Sequence, residues 1–368
     1  MQVKTIRAMG IGLVALLWAV LTLCAWFGPD KLQSDAERRQ LKQKPEFSAE
    51  AVNNGTYMKE FESYSLDQFP LRDGFRQIKA LFHNYVMNYS DNNDLYIEKG
   101  YIVKQEYPLN TESVTHAVNR FNNVYAQMLR DNNCRVFLSV VPDKGYYLGE
   151  ESGHLTPDYE AMIRQLQEGM PWATYIDITD TLSIEDYYRT DTHWRQEKLL
   201  PAAKRLCQAM GVKEPVDADY TVTAVDRPFY GVYYGQAALP VKAETLYYLY
   251  SEELSYCQVM DYEINKYTEV YNMNKLESPD LYDIYLSGPK GLLTIENPNA
   301  GNGKHLVIFR DSFGSSIAPL LVNGYSKVTL VDIRYLLPST AARMVDFTDA
   351  DVLFLYSTLV LNNSNTIK

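Results

Sequence analysis

An α/β fold built on a mainly parallel sheet with flanking helices is predicted by three features of this chain. Short apolar runs alternate with stretches of helical periodicity, the pattern of strands joined by helical crossovers. The runs stop at turn-forming residues, as Val136–Val141 does at Pro142. One run, His305-Leu306-Val307-Ile308-Phe309, passes directly into Arg310-Asp311-Ser312-Phe313-Gly314-Ser315-Ser316. It reads as a buried strand ending in a tight turn that carries a serine.

Ala8 to Phe27 is an uncharged run of 20 residues, long enough to span a bilayer core. A cleaved signal peptide is the competing reading. No small-x-small cleavage site follows, which favours an anchor. Lys4 and Arg7 precede the run, while Lys31, Arg38, Arg39, Lys42 and Lys44 follow it, so a literal charge count opposes an outside C-terminus. The short N-terminal tail resembles a signal-anchor, and the expected location is the cell membrane, single-pass, with residues after about Pro29 extracytoplasmic. Residues 29–90 read as a juxtamembrane stalk and helical segment. Phe75, Ile78, Leu81 and Phe82 fall on one helical face there.

A domain over residues 91–368 follows. Asn92 to Val103 reads as a hairpin around Lys99-Gly100. Thr111 to Asn132, Tyr159 to Met170 and Glu197 to Met210 have helical spacing, the last stopped by Gly211. Val136–Val141, Ala173–Ile178, Leu306–Phe309, Val328–Ile333 and Val352–Tyr356 are the expected strands of one sheet. Ala318 to Val322 and Ser339 to Val345 are helical connections. Residues 216–302 have few helical periods and many tyrosines, and are expected to stand apart as a β-rich insertion capping the sheet. Most of its individual tyrosines are expected to pack as core, since aromatics dominate packing; some would suit stacking on sugar faces.

Composition bounds the function. With 368 residues the chain holds one large or two medium domains. A hydrophobic content of 46% and a charged content of 22% fit a folded protein with a sizeable core. The net charge of -11 leaves no basic surplus for neutralising phosphates, which argues against a nucleic-acid partner. Cys24, Cys134, Cys207 and Cys257 show no C-x-x-C spacing, so neither a zinc site nor a disulfide framework appears. No metal or cofactor is implied.

The chemistry concentrates in two places. A serine hydroxyl is a weak nucleophile at neutral pH and needs a neutral imidazole oriented by a carboxylate. Asp191-Thr192-His193-Trp194 supplies that pair from one loop, since residues two apart in an extended stretch can point the same way. Of five histidines, only His193 has a carboxylate two residues away and an aromatic neighbour. Trp194 is placed to wall the site. Gly314 permits a tight bend or close backbone approach. The backbone N–H groups of Ser312 and Phe313 are the natural oxyanion donors. The bland alternatives are a helix cap at Asp311-Ser312 and a structural histidine at 193.

These motifs resemble a family. Asp191-Thr192-His193-Trp194 is similar to the signature of the bacterial DHHW proteins, with Thr192 where the second letter is usually His. Those proteins resemble the alginate O-acetyltransferases and their SGNH-hydrolase relatives. Glu62-Ser63-Tyr64 with Asp67 to Arg72, Val141-Pro142-Asp143-Lys144, Leu281-Tyr282-Asp283 with Leu286-Ser287-Gly288, and Arg310 to Gly314 resemble further blocks in the same order. The resemblance implies an SGNH-hydrolase-like fold, with Ser312 as nucleophile, His193 as base and Asp191 as its orienting acid. It adds Arg334 to steady an anionic or sugar group, and Tyr356 at the end of the last strand.

Together these features predict a membrane-anchored, extracytoplasmic O-acetyltransferase or esterase acting on cell-surface glycan. The resemblance implies a membrane-bound O-acyltransferase as acyl donor. A glycan-binding or envelope-assembly protein with a decayed site is a second reading, opposed by the intact Asp191, His193 and Ser312. A metal-dependent deacetylase or phosphodiesterase needs clustered ligands, which the scattered histidines do not supply.

Overall fold

The computed structural model describes residues 2–34, 36–87 and 91–368. The chain divides into two units: the chain up to Asn92 with Tyr234–Pro240, and Asn93–Tyr233 with Val241–Lys368.

In the first unit, Thr5–Phe27 is one helix long and apolar enough to cross a membrane. A short antiparallel ribbon, Gln33–Ser34 with Arg39–Gln40, follows it. The Asp67-Gln68 pair clamps this ribbon. Asp67 accepts from Arg39 Nη1 at 2.8 Å, Arg39 Nη2 at 2.6 Å and the Lys42 N–H at 2.9 Å. The Arg39 hydrogen bonds hold its carboxyl down to about 2. The Gln68 amide donates to the carbonyls of Lys31 and Lys42 and accepts from the Lys31 N–H.

The second unit is organised by an eight-stranded sheet. Its strands in chain order are β1 (Arg135–Val141), β2 (Thr174–Tyr175), β3 (Gln258–Asp261), β4 (Lys266–Thr268), β5 (Leu292–Glu296), β6 (His305–Arg310), β7 (Lys327–Val331) and β8 (Asp351–Ser357). Across the sheet they run β4-β3-β5-β7-β6-β8-β1-β2. The five expected runs lie side by side, and β7, β6, β8, β1 and β2 pair in parallel. The α/β class expected from the sequence, a mainly parallel sheet with flanking helices, is the class found.

Two-residue alternation explains why these strands read as continuous apolar runs. Leu306, Ile308, Leu353 and Leu355 enter one core, which also receives Ala202, Leu206 and Met210 of the helix Leu200–Met210. Val307, Phe309, Val352 and Phe354 enter the other, against the helices Thr111–Val124 and Tyr159–Gly169. Both faces are covered, so neither register needs polar residues. Each fully buried side chain of this size contributes about 1.5–3 kcal/mol relative to exposure.

The tyrosine-rich region does not stand apart as expected. Its hairpin Thr221–Phe229 with Glu244–Tyr250 is a separate two-stranded element, but β3, β4 and β5 extend the main sheet in antiparallel sense. Antiparallel neighbours need no helical crossover, so the helical periodicity that marks a βα unit is missing from this half of the sheet. Tyr233, Tyr271, Tyr282 and Tyr285 are buried, whereas Tyr250, Tyr256 and Tyr267 are exposed.

One strand start gives a pH prediction. His305 Nε2 lies 2.9 Å from Thr329 Oγ1. Burial, with Lys327 nearby, pushes its imidazole down to about 4 from 6.5. Between those values the unfolded chain binds the proton and the folded chain does not. Stability is therefore lost as pH falls from about 6.5 towards about 4. His305→Gln should flatten that slope in thermal unfolding; an unchanged slope would assign it to other groups.

Candidate active site

The parallel strands bring their C-terminal ends to one rim, where open α/β sheets place ligands. Ser312 follows β6 in the turn before the short helix Gly314–Ile317. A β-carbon on Gly314 would lie 2.7 Å from Arg310 Cβ, so the turn can fold back on its own strand only with glycine there. Asp311 fixes the turn from inside. Its Oδ1 accepts the Phe313 N–H at 3.0 Å and its Oδ2 the Ser357 N–H at 2.8 Å, tying the end of β6 to that of β8.

His193 and Asp191 come from the loop before Gln196–Lys198. His193 Nε2 is 2.8 Å from Ser312 Oγ, and His193 Nδ1 is 2.6 Å from Asp191 Oδ1. Asp191 Oδ1 also accepts the His193 N–H at 2.9 Å, and Oδ2 the Val232 N–H at 2.8 Å. Asp191 and His193 are buried, while Ser312 is half-buried. The three side chains form one hydrogen-bonded line from a buried carboxylate to a hydroxyl within reach of solvent.

Lys144, at the start of the helix Lys144–Ser152 that follows β1, supports this loop. Its ammonium donates to the carbonyls of Asp191 at 2.7 Å, Tyr188 at 3.1 Å and Arg189 at 3.3 Å. Burial pushes its pKa down to about 7, against the opposing pull of the Asp191, Glu244 and Asp143 carboxylates. Next to it, Asp143 Oδ2 accepts from Thr358 Oγ1 at 2.7 Å, linking β1 to the residue after β8. The Pro142-Asp143-Lys144 block thus joins neighbouring strand ends to the histidine loop.

The other expected site residues are placed differently. Trp194 is fully buried, and its indole N–H reaches Ser316 Oγ at 2.8 Å and the Phe313 carbonyl at 3.2 Å. It ties the histidine loop to the serine turn. Trp194→Phe keeps an aromatic ring but removes the indole N–H, and with it both hydrogen bonds of the clamp. It should cost about 1–3 kcal/mol of stability, read from the denaturant midpoint, and lower kcat more than it raises KM. A variant with unchanged stability and kcat would show that the clamp is dispensable.

Phe313 does not offer its N–H to an oxyanion, because Asp311 already accepts it. Of the two expected amides, only that of Ser312 has no acceptor among the described residues. Arg334, expected to steady an anionic or sugar group, turns part of its guanidinium to a neighbouring carboxylate. Its Nε and Nη2 are paired with Asp332 at 2.9 and 2.7 Å, because the turn after β7 sets these two residues facing each other. Tyr356 is wholly buried, with its ring 4.9 Å from that of Phe121. It lies in the sheet core, since inward-pointing residues of β8 alternate with Leu355.

Sequence reasoning missed several residues around the line. The Tyr282 ring stacks on His193 at 4.0 Å with planes 10° apart, and its hydroxyl donates to Ser316 Oγ at 2.7 Å. Burial holds that phenol well above its usual pKa, so it stays a neutral donor. Gln196 donates to the Ser316 carbonyl at 2.8 Å and accepts from the Leu249 N–H. Tyr282 lay within a recognised block, but a core role was the simpler reading for a tyrosine. Gly231 and Val232, which cradle Asp191, had no sequence signal.

No family profile and no curated protein matches the chain. Solved structures do. A DHHW family protein from Eubacterium siraeum is 20% identical at a TM-score of 0.62, over 75% of this chain and 95% of that one. PatB1 from Bacillus cereus, solved with a sulfonyl adduct, is 18% identical at a TM-score of 0.58, over 74% of this chain and 97% of that one. The O-acetyltransferase domain of Pseudomonas putida AlgJ is more distant, 12% identical at a TM-score of 0.45, over 73% and 92% of the two chains. The chain has the fold of the first two proteins.

Proposed function

We propose that this protein is a membrane-anchored, extracytoplasmic O-acetyltransferase or esterase that acts on cell-surface polysaccharide through an acyl-serine. The hydrogen-bonded line Asp191–His193–Ser312 carries the reading. Ser312 Oγ attacks the acyl carbonyl while His193 Nε2 takes its proton. The C–O bond to the leaving group breaks, and His193 returns the proton to that oxygen. A sugar hydroxyl then attacks the acyl-serine, His193 takes its proton and passes it to Ser312 Oγ, and the acyl C–O bond to Oγ breaks to restore the hydroxyl. Water in place of the sugar makes the reaction hydrolysis. Asp191 holds Nδ1–H throughout and stabilises the imidazolium.

The Ser312 amide supplies one oxyanion donor in this reading. The acyl donor is a membrane-bound O-acyltransferase, as the family resemblance implies, and Thr5–Phe27 holds the enzyme at that membrane. The test is incubation of the full chain with a chromogenic acetyl ester, with and without oligosaccharide, followed by peptide mass analysis. An acetyl group on Ser312 that passes to the oligosaccharide supports transfer, and one that passes only to water supports hydrolysis. A chain with no turnover, no acetyl-serine and no labelling by a sulfonyl fluoride would overturn the proposal.

A further inference from the structure

The helix Arg72–Leu81 is turned inside out for a soluble protein. Arg76 donates to the Gly235 carbonyl at 2.8 Å, Arg72 and Arg76 both pair with Glu37, and Ala80 is buried. The opposite stripe, Phe75, Ile78 and Phe82, is exposed, Ile78 to 64%. An apolar stripe facing outward on a helix whose arginines face inward calls for a covering surface.

The unit itself says what covers it. Leu71 precedes the helix, 76% exposed, with a left-handed φ of 56° that a β-carbon makes costly. Leu32 is also 76% exposed. Both border one groove with Cys24 and Gly28, at the end of the membrane-length helix. Tyr64 bonds Asp30 at 2.9 Å and Gln68 bonds both backbone groups of Lys31, so the turn before the helix is fastened to the exit of the span. Trp26 and Phe27, the last residues of the span, are exposed, as aromatic residues at a membrane boundary are.

We propose that Leu32, Leu71, Phe75, Ile78 and Phe82 form an interfacial collar, inserted among the lipid headgroups and upper acyl chains around the span. The occupant of this face is the bilayer surface, as for other amphipathic helices that lie in the interface plane. The collar rests on the anchoring read above. Its role is to hold the first unit at the membrane instead of leaving it on a swinging tether.

The test uses the full chain in vesicles of equal parts phosphatidylcholine and phosphatidylglycerol, with acyl chains brominated just below the headgroup or near the tail end. In the unaltered chain, quenching of Trp18 and Trp26 reports the span. Leu71→Trp and Ile78→Trp, each at an exposed position, should add emission that the shallow bromines quench and the deep ones largely spare. If the unaltered chain is quenched but the added indoles are not, the anchor holds and the collar is overturned. If the added indoles are unquenched and the chain sediments as a dimer, a second copy covers the face instead. If nothing is quenched, the anchoring itself fails and the collar with it.

Discussion

Ser312→Ala is expected to abolish acyl-enzyme formation and to lower kcat by on the order of a million-fold, with the fold unchanged. The substitution removes one hydroxyl from a half-buried turn whose other contacts belong to Asp311, Ser316 and Trp194. His193→Ala should do nearly as much harm, because base and nucleophile act as a unit. Asp191→Ala should cost roughly ten-thousand-fold, leaving the residual rate of an unoriented imidazole. Each is read as burst amplitude and steady-state rate on a chromogenic ester, beside a thermal unfolding curve. Full esterase activity in Ser312→Ala would defeat the mechanism and make a glycan-binding protein the better account.

Gly231→Ala is expected to be almost as damaging as loss of Asp191, though it touches no reacting group. A β-carbon there would stand 2.3 Å from both Cα and Cβ of Asp191 and 2.4 Å from its N. Two of these are backbone atoms, so no side-chain rotation relieves the contact. The loop must move, which breaks Val232 N–H to Asp191 Oδ2 and Gly231 N–H to Thr190 Oγ1. A loss of roughly 10²–10⁴ in kcat should follow, with about 1–3 kcal/mol of destabilisation from overpacking. Gly74→Ala, where nothing lies within 4 Å, is the control and should leave activity unchanged. If Gly231→Ala retains normal kcat, Asp191 is positioned by other contacts.

The sheet was legible because its physics is local to each strand. Leu306–Phe309 and Val352–Tyr356 are apolar at every position, which a strand tolerates only when both faces are covered. The extension through β3 to β5 was not legible. Gln258–Asp261 and Lys266–Thr268 are short and polar enough to pass for loop, and their place in the sheet depends on pairing with β5, itself placed by β7. The Phe313 amide was not legible for a related reason: whether a donor is open or taken depends on a carboxylate whose direction the turn decides.

By itself the sequence determined the α/β class, the apolar helix at the N-terminus, and the serine, histidine and aspartate that stand as candidates, because periodicity and residue chemistry are carried by neighbours in the chain. Only the tertiary structure decided that Nε2 of His193 meets Ser312 at 2.8 Å across 119 residues of chain. It also decided that Trp194 is a clamp and Tyr356 a core residue, that Tyr282 stacks beneath the imidazole, and that Gly231 must lack a side chain. These outcomes depend on distances between segments far apart in the chain, which packing sets and no local pattern encodes.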